Sequence, residues 1–322
     1  MKASVYPRIL FYLASRNIKY FSMRFLFKFG MIYLLFVACQ TKPTDNTLTD
    51  TFEIGIIADC QYCNCETSGS RYYTNSPNKL RAAVQELNKK DLAYTVHLGD
   101  FIDREFSSYD SIMPIWNELK SKKHHVLGNH DFSVADSLKL KVLNKLGLKE
   151  RYYSFTDNNW RFIVLDGNDL SFHGSLNALK KQQTDSLYNL LLKDSLPYLQ
   201  KWNGALSNKQ LAWVKSELEI ATNLNENVGF YCHFPVYPLA GDNLWNRNDL
   251  IALIDKYECV KIYFNGHNHA GGYENKGGVH YLTFQGMVET SGTSSFATAL
   301  FTRDSVIIKG YGREISRKLP IN

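Results

Sequence analysis

Five strand-like runs in this chain each end in polar side chains that are costly to bury. The most compact case is Gly128-Asn129-His130-Asp131, which follows the run at residues 124–127 and brings an amide, an imidazole and a carboxylate to one point. Burying such groups costs free energy unless they bind something. One tetrapeptide of this kind is equally typical of a polar surface loop, but the chain repeats the pattern. The other four runs are 52–58 with Asp59 and Gln61, 92–98 with Asp100 and Asp103, 227–232 with His233, and 260–264 with His267 and His269.

The runs and the segments between them predict an α/β fold. Nearly continuous apolar runs such as residues 52–58 are typical of strands buried on both faces. Ser76 and Pro77 predict a helix start with Ser76 as the N-cap, and residues 80–87 carry an apolar stripe at helical spacing. Open α/β sheets bind ligands at the carboxyl ends of their strands. The polar clusters are therefore expected where a ligand would bind.

The remaining segments predict further helices, a hairpin and a strand-rich end. A polar, lysine-rich stretch at about residues 168–204 is expected to be an insertion with one helix from about Leu179 to Leu199. The other expected elements are a helix over residues 109–119, a hairpin of residues 152–155 with 160–165, a helix opened by a capping-box pattern at Ser207, and short strands over residues 279–312.

Together the polar clusters have the composition of a site for hard divalent cations. Carboxylate and amide oxygens mixed with imidazoles suit Mn²⁺, Fe or Zn²⁺, with Mg²⁺ also possible, and the lack of thiolates disfavours a structural zinc site. Asp100 is the natural bridge, because a carboxylate has two oxygens to share between two cations. Two ions about 3.5–4 Å apart can activate water and clamp a phosphoryl oxygen, which is the chemistry of phosphate-ester or anhydride hydrolysis.

The motifs D-x-Q, G-D-x-x-D, G-N-H-D, a lone histidine after a strand, and G-H-x-H resemble the signature of the calcineurin-like metallophosphoesterases over roughly residues 52–312. The resemblance implies a four-layer α/β/β/α sandwich with two mixed β-sheets face to face, and one metallophosphoesterase domain at residues 52–322. The usual first motif of the family has histidine where this chain has Gln61. That glutamine, with segments such as residues 71–73, 125–131 and 160–166, is similar to the manganese-dependent ADP-ribose/CDP-alcohol diphosphatases.

This resemblance implies a set of metal ligands. An amide oxygen at Gln61 is a hard neutral ligand, which favours Mn²⁺ over softer metals. One metal ion would lie on Asp59, Gln61, Asp100 and His269, and a second on Asp100, Asn129, His233 and His267.

It also implies roles around the metal ions. His130 would stabilise charge on the phosphoryl group or protonate the leaving oxygen. Either Asp103 or Asp131 would orient His130 or a ligand. The candidates for substrate contact are Arg71 as a phosphate fork and Tyr72 or Tyr73 as a ring that stacks on a base, with a loop packed by its own aromatic rings as the alternative.

The resulting prediction is a dimetal phosphohydrolase that cleaves the diphosphate linkage of ADP-ribose or CDP-alcohol nucleotides and releases a nucleoside monophosphate. The alternatives are a phosphomonoesterase or cyclic-nucleotide phosphodiesterase on the same metals, and an inactive surface-binding protein. All seven ligand positions are filled, which disfavours the inactive form.

Nucleic acid is not an expected partner. Six of the 37 basic residues precede Cys39, where no acidic residue occurs, and the remaining 31 basic residues balance the 31 acidic ones.

Residues 1–38 predict an export signal. Arg24 and Lys28 precede a short apolar run at residues 30–38, and the Ala38-Cys39 junction resembles that of a bacterial lipoprotein signal, in which Cys39 would carry the lipid. An uncleaved anchor helix and a buried helix are the alternatives. Polar residues 39–51 predict a tether. We therefore expect an exported lipoprotein, anchored to a membrane in the periplasm or on the outer surface of a bacterium.

Three cysteines lie close together beside the first polar cluster. Cys60, Cys63 and Cys65 are compatible with a disulfide in an exported protein or with a metal site, and the missing second Cys or His pair disfavours zinc. Cys232 lies in a predicted buried strand and is expected to be inert.

Overall fold

The computed structural model describes residues 51–321, so the predictions for the signal segment, for Cys39 and for the tether up to residue 50 lie outside the described residues. Within the described range the chain forms two six-stranded sheets and a two-stranded ribbon. No helix of residues 51–321 is long and apolar enough to cross a bilayer.

Strands and helices alternate through the first two thirds of the described chain, and strands dominate its end. The strands are β1 (Phe52–Ile57), β2 (Tyr94–His97), β3 (Lys122–His125), β4 (Tyr153–Asp157), β5 (Trp160–Val164), β6 (Leu170–Ser171), β7 (Gly204–Ala205), β8 (Asn227–Tyr231), β9 (Val260–Asn265), β10 (Gly272–Lys276), β11 (Val279–Thr283), β12 (Ser295–Phe301), β13 (Ser305–Gly312) and β14 (Arg317–Pro320). The helices are α1 (Ser76–Leu87), α2 (Ser108–Asn117), α3 (Asp136–Lys139), α4 (Val142–Leu146), α5 (Ala178–Leu191), α6 (Asn208–Leu224) and α7 (Arg247–Ile254).

Both large sheets are mixed. The first has the order β14-β13-β12-β1-β2-β3, in which β1, β2 and β3 are parallel and β12 runs antiparallel to β1. The second has the order β10-β11-β9-β8-β5-β4, in which the four central strands are parallel and the edge strands β4 and β10 are antiparallel to their neighbours. Parallel strands of a sheet end at the same edge, so the segments after β1, β2 and β3 emerge together, as do those after β8 and β9.

The packing is the predicted four-layer α/β/β/α arrangement. Because side chains alternate along a strand, Ile54 and Ile56 of β1 point into the layer between the sheets, where they meet Phe162 of β5 and Phe264 of β9. Ile57 points the other way and packs with α1 and α2 on the outer face of the first sheet. Helices α6 and α7 cover the outer face of the second sheet. The fold class predicted from the sequence is confirmed.

Two local predictions about helix ends were wrong, and one was correct. The N-cap of α1 is Asn75 rather than Ser76, because the 3₁₀ turn Tyr73–Asn75 leads directly into the helix. Helix α5 ends at Leu191 rather than near Leu199, since a 3₁₀ turn follows it and Ser195 then adopts a left-handed conformation with φ 50°. Ser207 caps α6 as predicted, and its side chain accepts a hydrogen bond from the Gln210 amide.

Candidate metal centre

The seven predicted metal ligands converge at the carboxyl ends of the central strands. Asp59 and Gln61 follow β1, Asp100 follows β2, Asn129 follows β3, His233 follows β8, and His267 and His269 follow β9. The closest approaches are Gln61 Nε2 to Asp100 Oδ2 at 3.0 Å, His233 Nε2 to Asn129 Oδ1 and to Asp100 Oδ2 at 3.2 Å each, His267 Nδ1 to His233 Nε2 at 3.1 Å, and His269 Nε2 to Asp59 Oδ1 at 3.5 Å. The two sheets thus each supply part of one cluster.

The backbone at the strand ends is bent to aim these side chains inward. Asp59, Gln61, Asp100 and His267 have φ values of 51°, 41°, 57° and 69°, in the left-handed region that non-glycine residues seldom adopt. Such conformations cost about 1–3 kcal/mol each and persist where the surroundings hold them, commonly at functional sites. We infer that the fold holds the ligand side chains in place at the expense of local backbone strain.

Gly128 gives the cluster the space that it needs. A Cβ atom on Gly128 would lie 2.1 Å from Asp100 Oδ1, and one on Gly266 would lie 2.5 Å from Asp59 Oδ2. Both distances are far below a van der Waals contact. Any side chain at either position would therefore displace a candidate ligand carboxylate.

The charges of the cluster fit divalent cations. Burial opposes the charge of Asp100, yet His233 and His130 hold its pKa well below the usual range. Burial likewise opposes the charge of His233, but Asp100 raises the pKa of that imidazole to about 9. Burial and the nearby His233 hold the pKa of His267 well below its usual value, so it is a neutral imidazole. The carboxylate of Asp100 and the imidazoles of His233 and His267 thus face one point. A metal ion bound there can take the place of the proton on His233.

Two further observations test whether metal ions fit. Ligand atoms of Asp100, His233 and His267 all lie within 4.8 Å of one another. Gln61 is buried, and within the described residues its Oε1 atom has no hydrogen-bond partner. A buried acceptor without a donor is costly, and a cation beside it removes that cost. The residues present therefore fit the dimetal ligand set implied by the sequence.

His130 lies beside the cluster and is held by Asp103. Its Nδ1 atom is 2.8 Å from Asp103 Oδ1, and its backbone amide donates to Asp100 Oδ1 at 2.8 Å. Burial opposes charge on the ring, but Asp100 and the hydrogen bond to Asp103 raise the pKa of His130. Asp103 also accepts a hydrogen bond from Arg104 Nε at 2.5 Å. Of the two carboxylates that could orient His130, Asp103 is the one in contact with the ring.

Asp131 has a different environment. Its carboxylate accepts hydrogen bonds from the backbone amides of Gly128, Asp100 and Phe101 and from the Tyr109 hydroxyl, at 2.9 to 3.1 Å. It is fully buried. Asp131 therefore connects the loops after β2 and β3, and its four donors do not include the His130 ring. This decides between the two carboxylates that the sequence offered for orienting His130.

The predicted substrate-contact residues are separated by the structure. Arg71 lines a cavity of about 370 Å³ together with His130 and five of the candidate metal ligands. Tyr73 is 3% exposed and lies beneath the guanidinium of Arg104, so its ring cannot stack on a base. Tyr72 does not line the cavity. The prediction of a stacking tyrosine is wrong for Tyr73, because this ring packs with Cys63 and Val288 instead.

Several residues at the site were not predicted from the sequence. Trp202 and Asp242 line the same cavity, and Trp202 is 48% exposed. Asn203 Oδ1 is 2.8 Å from His267 Nε2, and Glu289 Oε1 is 2.7 Å from His269 Nδ1, so each holds the far nitrogen of a candidate ligand. These residues come from loops with no periodic pattern. One signal was available for Asn203. The segment Asn203-Gly204-Ala205, directly after Trp202, is also similar to the manganese-dependent ADP-ribose/CDP-alcohol diphosphatases.

The cysteines near the first strand end form one bond. Cys63 and Cys65 are joined in a disulfide, and Cys60 and Cys232 are free and buried. Of the predicted alternatives, the structure has the disulfide.

Comparisons with known proteins agree with this geometry. A family model described as calcineurin-like phosphoesterase matches residues 52–271. The human protein named manganese-dependent ADP-ribose/CDP-alcohol diphosphatase is 30% identical over 84% of this chain and 94% of its own length. The Arabidopsis thaliana protein of the same name is 30% identical over 76% of this chain and 89% of its own. A solved dimetal phosphatase from Danio rerio superposes with a TM-score of 0.76 at 28% identity, covering 84% of this chain and 99% of that one.

Proposed function

Because this chain belongs to the calcineurin-like phosphoesterase family and is a metal-dependent hydrolase, we propose that it cleaves the diphosphate linkage of ADP-ribose or CDP-alcohol nucleotides. The products would be a nucleoside monophosphate and a second phosphate ester. The relatives named above carry this activity in their names. Such a substrate has two phosphates and one aromatic base, so its site needs positive charge beside the metal ligands and a flat apolar surface nearby.

The observation that carries the proposal is that Arg71 and Trp202 both line the cavity of the metal cluster. A guanidinium is suited to bidentate contact with phosphate oxygens. An exposed indole offers a face for a nucleobase, and base stacking on aromatic side chains is worth about 1–3 kcal/mol. A small monoester would gain from Arg71 but not from Trp202. The cavity therefore favours a nucleotide over a simple phosphate ester.

The ligand geometry supports two metal positions that share Asp100. One would use Asp59, Gln61 and His269, and the other Asn129, His233 and His267, each together with Asp100. Divalent cations bound there would neutralise phosphoryl oxygens and lower the pKa of a nearby water molecule. The oxygen-rich donor set with a neutral amide favours Mn²⁺, which is also the metal in the names of the relatives.

The chain's own groups then have separate tasks. His130 faces the cavity while Asp103 holds its Nδ1 atom, which leaves Nε2 for the substrate. There it would stabilise charge on the attacked phosphoryl group or donate a proton to the leaving oxygen. Asn203 and Glu289 fix the rings of His267 and His269. Such outer partners commonly change metal affinity or activity by 10–100-fold when they are removed.

A phosphomonoesterase or cyclic-nucleotide phosphodiesterase could use the same ligands, and an inactive binding protein could keep the fold. The filled and convergent ligand set argues against the inactive form, as does the burial of unpaired polar groups that metal ions would satisfy. We also propose export and lipid anchoring, on the basis of the charged and apolar pattern before Cys39.

A substrate panel with matched variants tests the proposal. With Mn²⁺ supplied, the protein should convert ADP-ribose and CDP-choline to AMP and CMP faster than it cleaves a small aryl phosphate. Trp202→Ala should raise KM for ADP-ribose by about tenfold, the loss of one stacking contact, and should leave cleavage of a small alkyl phosphate, which has no ring to stack, unaffected. Leu190→Ala, an exposed residue away from the cavity, is the control. Intact ADP-ribose and CDP-choline alongside rapid monoester cleavage would reject the diphosphatase proposal.

A further inference from the structure

One buried lysine is not part of the cavity lining and hydrogen-bonds to the backbone of the segment that carries Glu289. Lys79 is on α1 and only 4% exposed, although α1 has a water-facing side that would keep an ammonium hydrated. Its Nζ atom lies within hydrogen-bond distance of four successive carbonyl oxygens, those of Met287, Val288, Glu289 and Thr290, at 3.0, 3.2, 2.8 and 2.5 Å, and these share its three N–H donors. Burying an ammonium is costly unless it is fully hydrogen-bonded. Four converging carbonyl dipoles provide that compensation, in the manner of a site for a monovalent cation.

The carbonyls converge because the chain takes an unfavourable turn. Thr290 has φ 64°, a left-handed conformation that is rare for a β-branched residue. Four carbonyl oxygens directed at one point also repel one another unless a cation lies between them. The segment at residues 287–290 therefore depends on the Lys79 ammonium for its shape. An uncharged residue of similar size would leave the four oxygens without a common donor.

The same segment connects three parts of the metal centre. The Met287 and Val288 amides donate to Ala58 and Asp59 carbonyls at 2.9 and 3.0 Å, which fixes the end of β1. The Thr290 amide donates to the Ser70 carbonyl at 2.9 Å, beside Arg71.

Its third connection is made by a side chain. Glu289 Oε1 lies 2.7 Å from His269 Nδ1 and so sets the orientation of that candidate ligand. The Tyr72 amide also donates to the Val288 carbonyl at 3.0 Å, which couples the substrate-contact loop to the same segment. A shift of residues 287–290 would therefore move Asp59, the loop of Arg71 and the ring of His269 together.

We propose that Lys79 is a positioning residue for the hydrolytic site. Its ammonium gathers the carbonyls of residues 287–290 and thereby holds Glu289 against His269. The proposal rests on the metal centre proposed above for its functional readout. It adds a buried cation that acts through the protein backbone without lining the cavity.

The test compares Lys79→Met with Lys89→Met, whose side chain is 69% exposed just beyond α1. In the folded Lys79→Met protein, Mn²⁺ affinity measured by calorimetry without substrate should fall about tenfold, the low end of the range for outer partners of ligands. In metal-free protein, hydrogen exchange of the Val288, Thr290 and Tyr72 amides should speed up by at least about tenfold, while amides of α6 stay unchanged. Lys89→Met should match the unaltered protein in both measurements.

Further variants separate positioning from general destabilisation. If Lys79 acts through Glu289, the double variant with Glu289→Gln should lose less Mn²⁺ affinity than the two single losses multiplied together, since contacts in one chain of interactions are not additive. Lys79→Ala removes three carbons and the amine, so propylammonium should restore affinity, whereas bulky tetramethylammonium at equal ionic strength should not. Should Lys79→Met fail to fold, Lys79→Gln keeps an uncharged donor and should show about a threefold loss.

Wild-type Mn²⁺ affinity and wild-type amide exchange in a folded Lys79→Met or Lys79→Gln protein would overturn the proposal, as would losses that multiply in the double variant. If the unaltered protein binds no Mn²⁺, the proposed metal centre fails, and amide exchange alone then decides the role of Lys79. If Mn²⁺ binding depends on Lys79 but ADP-ribose is not hydrolysed, the substrate proposal fails and this one stands.

Discussion

Replacing Asp103 with asparagine tests how the structure assigns the orientation of His130. Asp103 is 2% exposed, and its carboxylate lies 2.8 Å from His130 Nδ1. His130 Nδ1 also lies 3.2 Å from the Asp103 carbonyl oxygen, a contact that the substitution keeps. A contact between charged groups is worth about 1.5–3 kcal/mol, so its loss corresponds at most to roughly 10- to 150-fold in rate if it acts in the transition state. The second partner, Arg104, is 55% exposed, so losing that pair should cost little stability.

The assay is steady-state hydrolysis of ADP-ribose by Asp103→Asn, with calorimetry of Mn²⁺ binding alongside. We expect kcat to fall by 10- to 150-fold and KM to change little, because the missing interaction acts on the transition state. Mn²⁺ affinity should stay the same, since Asp103 contacts His130 rather than a candidate ligand side chain. Asp136→Asn, at a 79% exposed position, is the matched control.

A combined variant gives the decisive result. On a His130→Ala background, Asp103→Asn should cause little further loss, because the group that it orients is gone. If the two losses multiplied, or if kcat of the folded single variant stayed within about threefold, Asp103 would not act through His130.

Three further predictions follow from the site, the partly buried His124 and the N-terminal pattern. Chelation should abolish hydrolysis, and Mn²⁺ should restore it better than other divalent ions. Asn129→Ala should lower the Mn²⁺ affinity measured by calorimetry by about tenfold. Hydrolysis by protein stripped of all metal would contradict the metal centre. Burial and Lys122 lower the pKa of His124 from 6.5 to about 4. Between pH 6.5 and pH 4 only the unfolded state therefore binds a proton at this position. The free energy of unfolding should accordingly fall by up to about 3 kcal/mol as the pH is lowered from 6.5 to 4. Urea unfolding of His124→Phe should lack that part of the loss, and an unchanged pH dependence would refute it. Mature protein from membranes should start at Cys39 with added acyl mass in mass spectrometry, and an unmodified chain with residues before Cys39 would end that prediction.

The position of the ligands could be predicted because it follows from strand geometry. Side chains directly after parallel strands of one sheet share one edge, so the order of strands and polar residues along the sequence is enough to group Asp59 with Asp100, and His233 with His267. That the two groups meet depends on how the two sheets pack against each other. The choice between Asp103 and Asp131 could not be made in this way. It depends on the 3₁₀ turn His130–Phe132, which directs Asp131 inward to four donors and leaves His130 facing Asp103.

The loops were harder, because burial there depends on distant partners. Tyr73 is covered by Arg104 and packed against Val288, which is far away in sequence. Glu289 and Trp202 reach the site from segments without helical or strand periodicity. The sequence does indicate that Lys79 is buried, because it lies four residues before Ala83 on the apolar face of α1. A lysine there is ordinarily read as a side chain whose amine reaches water.

The place of β1 in the first sheet determines when, during the life of the chain, the metal centre can be completed. β1 lies between β2 and β12, and β12 begins only at Ser295. A chain leaving the ribosome therefore presents Asp59 and Gln61 on a strand with one open edge until most of the sequence has been made. The histidines also arrive late, at positions 233 to 269. Open strand edges invite pairing with other chains. The complete ligand set and both strand neighbours of β1 are thus present together only in a nearly finished chain.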